Sequence, residues 1–203
     1  MNWELFAAFL LITVALILVP GPIVTLVVAT SVSKGLRAGL ITVVGTSAGN
    51  AVLLAVIGCG LGWILDHALY WFDLLRFVGA AYLIWLGIQA WRGAGGVPNV
   101  PPRDRVHIGR GFVVALSNPK TIAFFTAFLP QFVDPSLPVA RQLAVMCVVS
   151  VVLAVIGDST WAVLAALGRA WLLQPARAKL FGRLSGLALV GGGIWLSLSR
   201  RPA

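Results

Sequence analysis

Charge is scarce in this chain, and negative charge scarcest. Six Asp and Glu stand against fifteen Lys and Arg, and charged residues make up 10% of the 203 positions, where soluble domains carry about 25%. Hydrophobic residues reach 60%, more apolar surface than a soluble core of this length could hide, so the bilayer is the expected solvent. Histidine is limited to His67 and His107, isolated gap residues, and cysteine to Cys59 and Cys147, both within apolar runs. No metal-ligand or CxxC spacing is present, so the cysteines read as packing and say nothing of the redox compartment. A Walker A sequence is missing too. The glycine clusters at 58–62 and 191–193 neither follow a strand nor open a dinucleotide-binding unit, which leaves no nucleotide site or other cofactor. The net charge of +9 could suggest nucleic acid, but the basic residues lie in short gaps between apolar runs rather than along one stripe. Retention of cytoplasmic loops explains them better.

A spanning helix needs roughly 20 apolar residues, and runs near 5–32, 39–65, 74–91, 111–133, 143–167 and 184–198 qualify. Backbone polar groups in lipid must be satisfied internally, so helices are the default. The expected fold is all-α, a polytopic transmembrane bundle of about six spans. The first run follows no basic n-region and exceeds a signal-peptide core, so it reads as a retained span. Lys34 and Arg37 follow the first span; Arg92, Arg103, Arg105 and Arg110, offset by Asp104, follow the third; Arg169, Arg177, Lys179 and Arg183 follow the fifth. The intervening gaps hold Asp66, His67, Asp73 and Arg76, then Asp134 and Arg141. The positive-inside rule therefore puts gaps one, three and five in the cytoplasm and the N-terminus outside. The Arg200-Arg201 pair dissents. Trp3, Trp71 and Trp91 sit near span ends, as interfacial anchors do.

One real linker, about 93–110 and rich in glycine and proline, divides a single domain (1–203) into halves of about 1–92 and 111–203. Three spans per half make the halves inverted relative to each other. Each first span carries a proline break, Pro20-Gly21-Pro22 and Asn118-Pro119-Lys120, and each third span opens with Arg-x-x-Gly, ending at Gly79 and Gly186. Inverted repeats with broken first and fourth helices and a midplane substrate site are a recurring transporter plan.

Few residues could carry chemistry at membrane depth. Proline lacks an amide donor and clashes with the carbonyl four residues back, and such breaks are tolerated only inside protein or beside a water-filled cavity. Pro20-Gly21-Pro22 is thus either a packing kink or a half-helix whose N-terminal dipole faces an anion, and the half-helix N-termini after Pro22 and Pro119, with Lys120, are the expected seat of a carboxylate. Lys120 is the sole lysine inside a span; it could pair with a carboxylate, contact substrate, or snorkel toward the cytoplasmic face beside Arg110. Asp158 is the sole carboxylate deep in a span, a candidate for a substrate ammonium or a coupling proton, with Lys120 as its natural ion-pair partner and a structural pair as the bland alternative. Gly45 and Gly49 are spaced for close helix contact. Asn50 needs polar partners in lipid and could line a cavity.

These stretches together resemble the LysE/RhtB-type amino-acid exporters. The resemblance rests on Val19-Pro20-Gly21-Pro22, Ser33-Lys34-Gly35-Leu36-Arg37-Ala38-Gly39, Gly45 and Gly49, Gly79 through Gly87 with Tyr82-Leu83, Gly111-Phe112, Asn118-Pro119-Lys120, and Leu129-Pro130-Gln131-Phe132. It implies export of amino acids or close derivatives across a bacterial inner membrane, coupled to protons rather than ATP; the partners are then the substrate, protons and lipid, with a homodimer left open. Asp158 and Trp161 match an acidic residue near a tryptophan in the family's fifth span. Many members carry Asp where Asn50 stands, and that departure favours a neutral substrate over a basic one. The rivals are thinner. A cation exporter needs several facing carboxylates, histidines or cysteines, a membrane aspartyl protease needs two carboxylates, and a scaffold gains nothing from midspan breaks.

Overall fold

The computed structural model describes residues 1–67, 70–93, 107–168 and 175–198. Most of the expected linker, with Arg103, Asp104 and Arg105, lies outside the described residues, as do Arg169 and Arg200-Arg201. The described chain is all-α: α1 (Trp3–Leu18), α2 (Pro22–Lys34), α3 (Leu36–His67), α4 (Tyr70–Arg92), α5 (His107–Leu116), α6 (Pro119–Phe128) with a 3-10 turn (Leu129–Phe132), α7 (Val139–Leu167) and α8 (Pro175–Leu198).

Each of the six apolar runs becomes one helical unit, with two of them broken. Leu36–Leu61 and Val139–Leu167 are individually long and apolar enough to cross a membrane. α1 and α2 form a bent pair at 46°, and Ile108–Leu116 with Pro119–Phe132 bends by 43°; each pair suffices if taken as one span. α4 and α8 have 23 and 24 residues, about 35 Å of helix at 1.5 Å per residue. The uniformly apolar part of α4 is shorter, Phe77–Gln89. The sixth helix begins nine residues before the expected 184, at Pro175, because Arg177, Lys179 and Arg183 are good helix formers that extend an apolar segment past its core.

Polarity is arranged for lipid. Leu11, Val14 and Leu18 on α1, Val44, Val52 and Val56 on α3, and Val148, Val152 and Ile156 on α7 all face outward. Thr13, Thr46, Asn50, Asn118, Lys120, Ser150 and Asp158 are buried. In a solvent as apolar as leucine, only packing and internal hydrogen bonds favour an interior position.

Contacts between helices fix their directions. α3 and α5 run parallel in close contact. A methyl on Gly49 would stand 2.5 Å from Phe112 O and one on Gly111 would stand 2.6 Å from Thr42 O, while one on Gly45 would overlap the Ile108 backbone. α4 and α8 run antiparallel: Gly87 and Gly186 face each other's carbonyls at 2.6 Å from their would-be methyls, and Gly193 meets Ala80 O at 2.8 Å. Gly79 lies against Ala127 of α6 at 2.5 Å. Replacing Gly49 by Val should cost about 1–3 kcal/mol through overpacking, seen as an earlier thermal transition in detergent; an unmoved transition would mean that α3 and α5 do not touch there.

These directions sort the ends of the bundle. The Asn2 amide donates to Asp134 Oδ2 at 3.4 Å, so the N-terminus and the loop before α7 share one end. Ser136, through its amide and its hydroxyl, holds the Asp134 carboxyl below the usual carboxylate range. Gln142 closes that loop by donating to Asp134 O at 2.8 Å and accepting from Asp134 N at 3.0 Å. At the other end lie Lys34 and Arg37, at the α2–α3 junction, and Arg110 on α5, beside the start of α3. The Arg183 guanidinium sits 5.3 Å from the Trp91 ring centre, joining α8 to the end of α4.

Candidate functional site

The site is built on the first break. Pro20 has no N–H to give to Leu16 O, and Pro22 has none for Leu18 O, so α1 ends with carbonyls its own chain cannot satisfy. A residue from the other half of the chain takes one of them, together with the carbonyl of the C-cap residue Val19. Lys120 Nζ donates to Leu16 O at 2.7 Å and to Val19 O at 2.5 Å. Its aliphatic stem lies on Gly21, where a methyl would meet Lys120 Cδ at 3.0 Å; a residue with a side chain there would push the lysine away.

The second break is satisfied locally. Pro119 cannot serve Ala115 O, but Asn118 N does so at 3.1 Å. Asn118 is the N-cap of α6: its Oδ1 accepts from Lys120 N at 3.2 Å and its Nδ2 donates to Thr121 Oγ1 at 2.7 Å. The two half-helix N-termini therefore differ. That of α6 is occupied by its own cap, whereas Gly21 offers α2 no side-chain cap and Pro22 stands at its first position.

Both breaks face one cavity of about 60 Å³, room for roughly four waters at ~15 Å³ each. Gly21, Asn50, Asn118, Lys120 and Asp158 all line it, together with Thr13, Leu16, Ile23, Val24, Thr121 and Ser150. Pro20, Pro22 and Pro119 do not; they shape the backbone behind it. Gly45, Gly79 and Gly186 lie away from the cavity at helix contacts, as does Gly49. Asp158 is 4% exposed, and the Thr46 hydroxyl lies 3.4 Å from its Oδ2. Thr46 Oγ1 is also 3.1 Å from Val43 O.

Three expectations are corrected. Lys120 does not snorkel; it is 8% exposed and points into the broken helix. Its Nζ donates to carbonyl oxygens, and its attraction to Asp158 acts at a distance rather than through a direct contact. The α6 N-terminus is not open to a ligand, since Asn118 fills it. Asn118→Ala should cost about 1 kcal/mol of stability as a lost N-cap, measured as a lower unfolding midpoint in detergent; no loss would show the cap to be inert.

Thr13 escaped the sequence reading. It is fully buried, lines the cavity, and its Oγ1 has no hydrogen-bond partner, as is true of Asn50 Oδ1. Its only signal was that α1 contains no other hydroxyl residue. Buried polar atoms are nearly always paired, so two unpartnered ones at one cavity mark a place where a polar solute can bind.

Residues 14–200 match the family described as LysE type translocator. A homoserine/homoserine lactone efflux protein of Salmonella typhimurium is 33% identical over 205 aligned residues, covering 98% of this chain and 99% of that one. An uncharacterized membrane protein of Vibrio cholerae is 29% identical, covering 98% of this chain and all of its own length. A leucine efflux protein of Enterobacter is 31% identical over 127 residues, 60% of each chain. No solved structure matches.

Proposed function

The chain belongs to the LysE type translocator family, and on that premise we propose that it exports a neutral amino acid, or a close derivative, across the bacterial inner membrane in exchange for protons. The observation that carries the reading is the convergence of an uncapped helix N-terminus, a buried carboxylate and two unpartnered polar atoms on one cavity.

A zwitterion suits that set. Pro22 has no N–H, so Ile23 and Val24 supply the first amides of α2; both residues line the cavity, and the helix dipole favours an anion there. The substrate carboxylate belongs at this end. The α-ammonium belongs near Asp158 and Asn50 Oδ1, both acceptors. Asn50 adds no second carboxylate, which suits a neutral side chain over a cationic one. Asp158 also serves as the proton carrier: substrate ammonium and proton compete for one carboxylate, and competition for a shared site is the simplest basis of exchange. The two halves act as inverted repeats, each with a broken first unit, and rocking one against the other opens the cavity to alternate sides. The end bearing Lys34, Arg37 and Arg110 faces the cytoplasm by the positive-inside rule, so the N-terminus is periplasmic.

The deciding experiment is efflux of radiolabelled amino acids from proteoliposomes, with and without an imposed pH gradient. Homoserine, threonine, leucine and lysine are loaded in turn. Gradient-dependent release of neutral substrates ahead of lysine is expected. Folded protein that releases no amino acid would overturn the reading.

A further inference from the structure

A second cavity borders the adjacent face of α1. It measures about 100 Å³ and is lined almost wholly by apolar side chains, among them Ile12, Leu83, Phe124, Phe128 and Leu189, with Gly192 in its wall. Its walls come from α1, α4, α6 and α8, and so from both halves of the chain. Leu16 lines this cavity and the polar one alike. The Leu16 carbonyl is held by Lys120, as is that of Val19, another residue of the apolar wall. The partition between the two spaces is thus the end of the broken helix, and the Leu16 side chain is part of it.

The geometry points to the apolar cavity as a subsite for the aliphatic side chain of an amino acid whose charged groups occupy the polar cavity, with Leu16 and Gly192 setting the side-chain size accepted. The inference rests on the amino-acid export proposed above. An apolar space takes hydrocarbon rather than water. Nothing in its lining could hold an ammonium or a carboxylate, so only the side-chain end of an amino acid fits there. Placing the two cavities on either side of one side chain matches the layout of an aliphatic amino acid, polar at one end and apolar at the other. Gly192 leaves room by lacking a side chain: its would-be methyl meets only Phe128 Cζ, at 3.7 Å. A methyl there is an ordinary contact, and a larger group would project into the space.

The test is competition by alanine, 2-aminobutyrate, norvaline and leucine against labelled leucine efflux in proteoliposomes. The wild type is compared with Gly192→Ala, Gly192→Val and Leu16→Ala. One methylene in a hydrophobic pocket is worth roughly 10- to 200-fold in discrimination. Apparent affinity should therefore rise along the series in the wild type. The leucine-to-alanine ratio should fall stepwise, by about tenfold or more at Gly192→Val, and rise in Leu16→Ala, where the partition is removed. Gly192→Ala guards against misfolding, since its added methyl is unstrained. Wild-type protein that exports no amino acid ends both readings. Protein that exports alanine and leucine with a ratio unmoved by these variants overturns the subsite alone.

Discussion

Asp158→Asn should abolish gradient-driven efflux while leaving the protein folded. Asp158 is the one carboxylate lining the polar cavity, it is 4% exposed, and its partner within reach is a hydroxyl that Val43 O can share. Asparagine keeps the shape and the contact with Thr46 but can neither attract an ammonium nor carry a proton. Truncating one member of a buried charged contact costs about 2–5 kcal/mol, and at 1.4 kcal/mol per tenfold that is at least about thirtyfold in rate. Two measurements separate its roles. If Asp158 carries the proton without binding substrate, the variant loses efflux driven by a pH gradient but still exchanges labelled for unlabelled amino acid at equilibrium. If it binds the ammonium, alone or in competition with the proton as proposed, both processes fall together. Asp158→Glu should recover part of either. Full efflux by the asparagine variant would remove Asp158 from the mechanism.

Lys120→Met should be the most destabilising single change in the cavity. Methionine matches the stem that lies over Gly21, so the loss is confined to Nζ and its bonds to Leu16 O and Val19 O. Hydrogen bonds to charged groups contribute about 1.5–3 kcal/mol each, and both carbonyls would lose this donor. A loss near 3 kcal/mol corresponds to a fall of about 6–12 °C in the unfolding midpoint for a chain of this size. Lys120→Arg should not restore it, because a planar guanidinium donates in a fixed fork and Nζ now reaches two carbonyls three residues apart. The same stability in wild type and methionine variant would show that the broken end of α1 is satisfied some other way. Efflux in Lys120→Arg at the wild-type level would show that the cavity needs the charge and not its position.

The helices were readable from the runs of apolar residues, because a bilayer imposes a length and forbids unpaired backbone, which leaves little choice of structure. The breaks were readable from Pro20, Pro22 and Pro119, since a missing amide acts wherever the chain goes. So were Asp158, Lys120 and Asn50 as residues of interest, for a polar group at membrane depth is costly in any arrangement. What those groups do to one another was not legible. Lys120 could be placed with a carboxylate, at the surface or on a ligand with equal ease from its position in the sequence. Only the packing of α6 against the end of α1 sets it on Leu16 O and Val19 O. Likewise the two proline breaks look alike as sequence, yet Asn118 fills its own helix end while Gly21 has no side chain to do so, and that difference follows from which atoms stand next to them. Thr13 was invisible because a lone hydroxyl in an apolar run can bond its own backbone. It becomes part of a cavity only when α1, α3 and α7 meet around it. Composition and proline position thus determined a helical membrane protein with interrupted spans. The tertiary structure decided which interruption stays open, because hydrogen-bond partners are settled by distances in space and not by spacing along the chain.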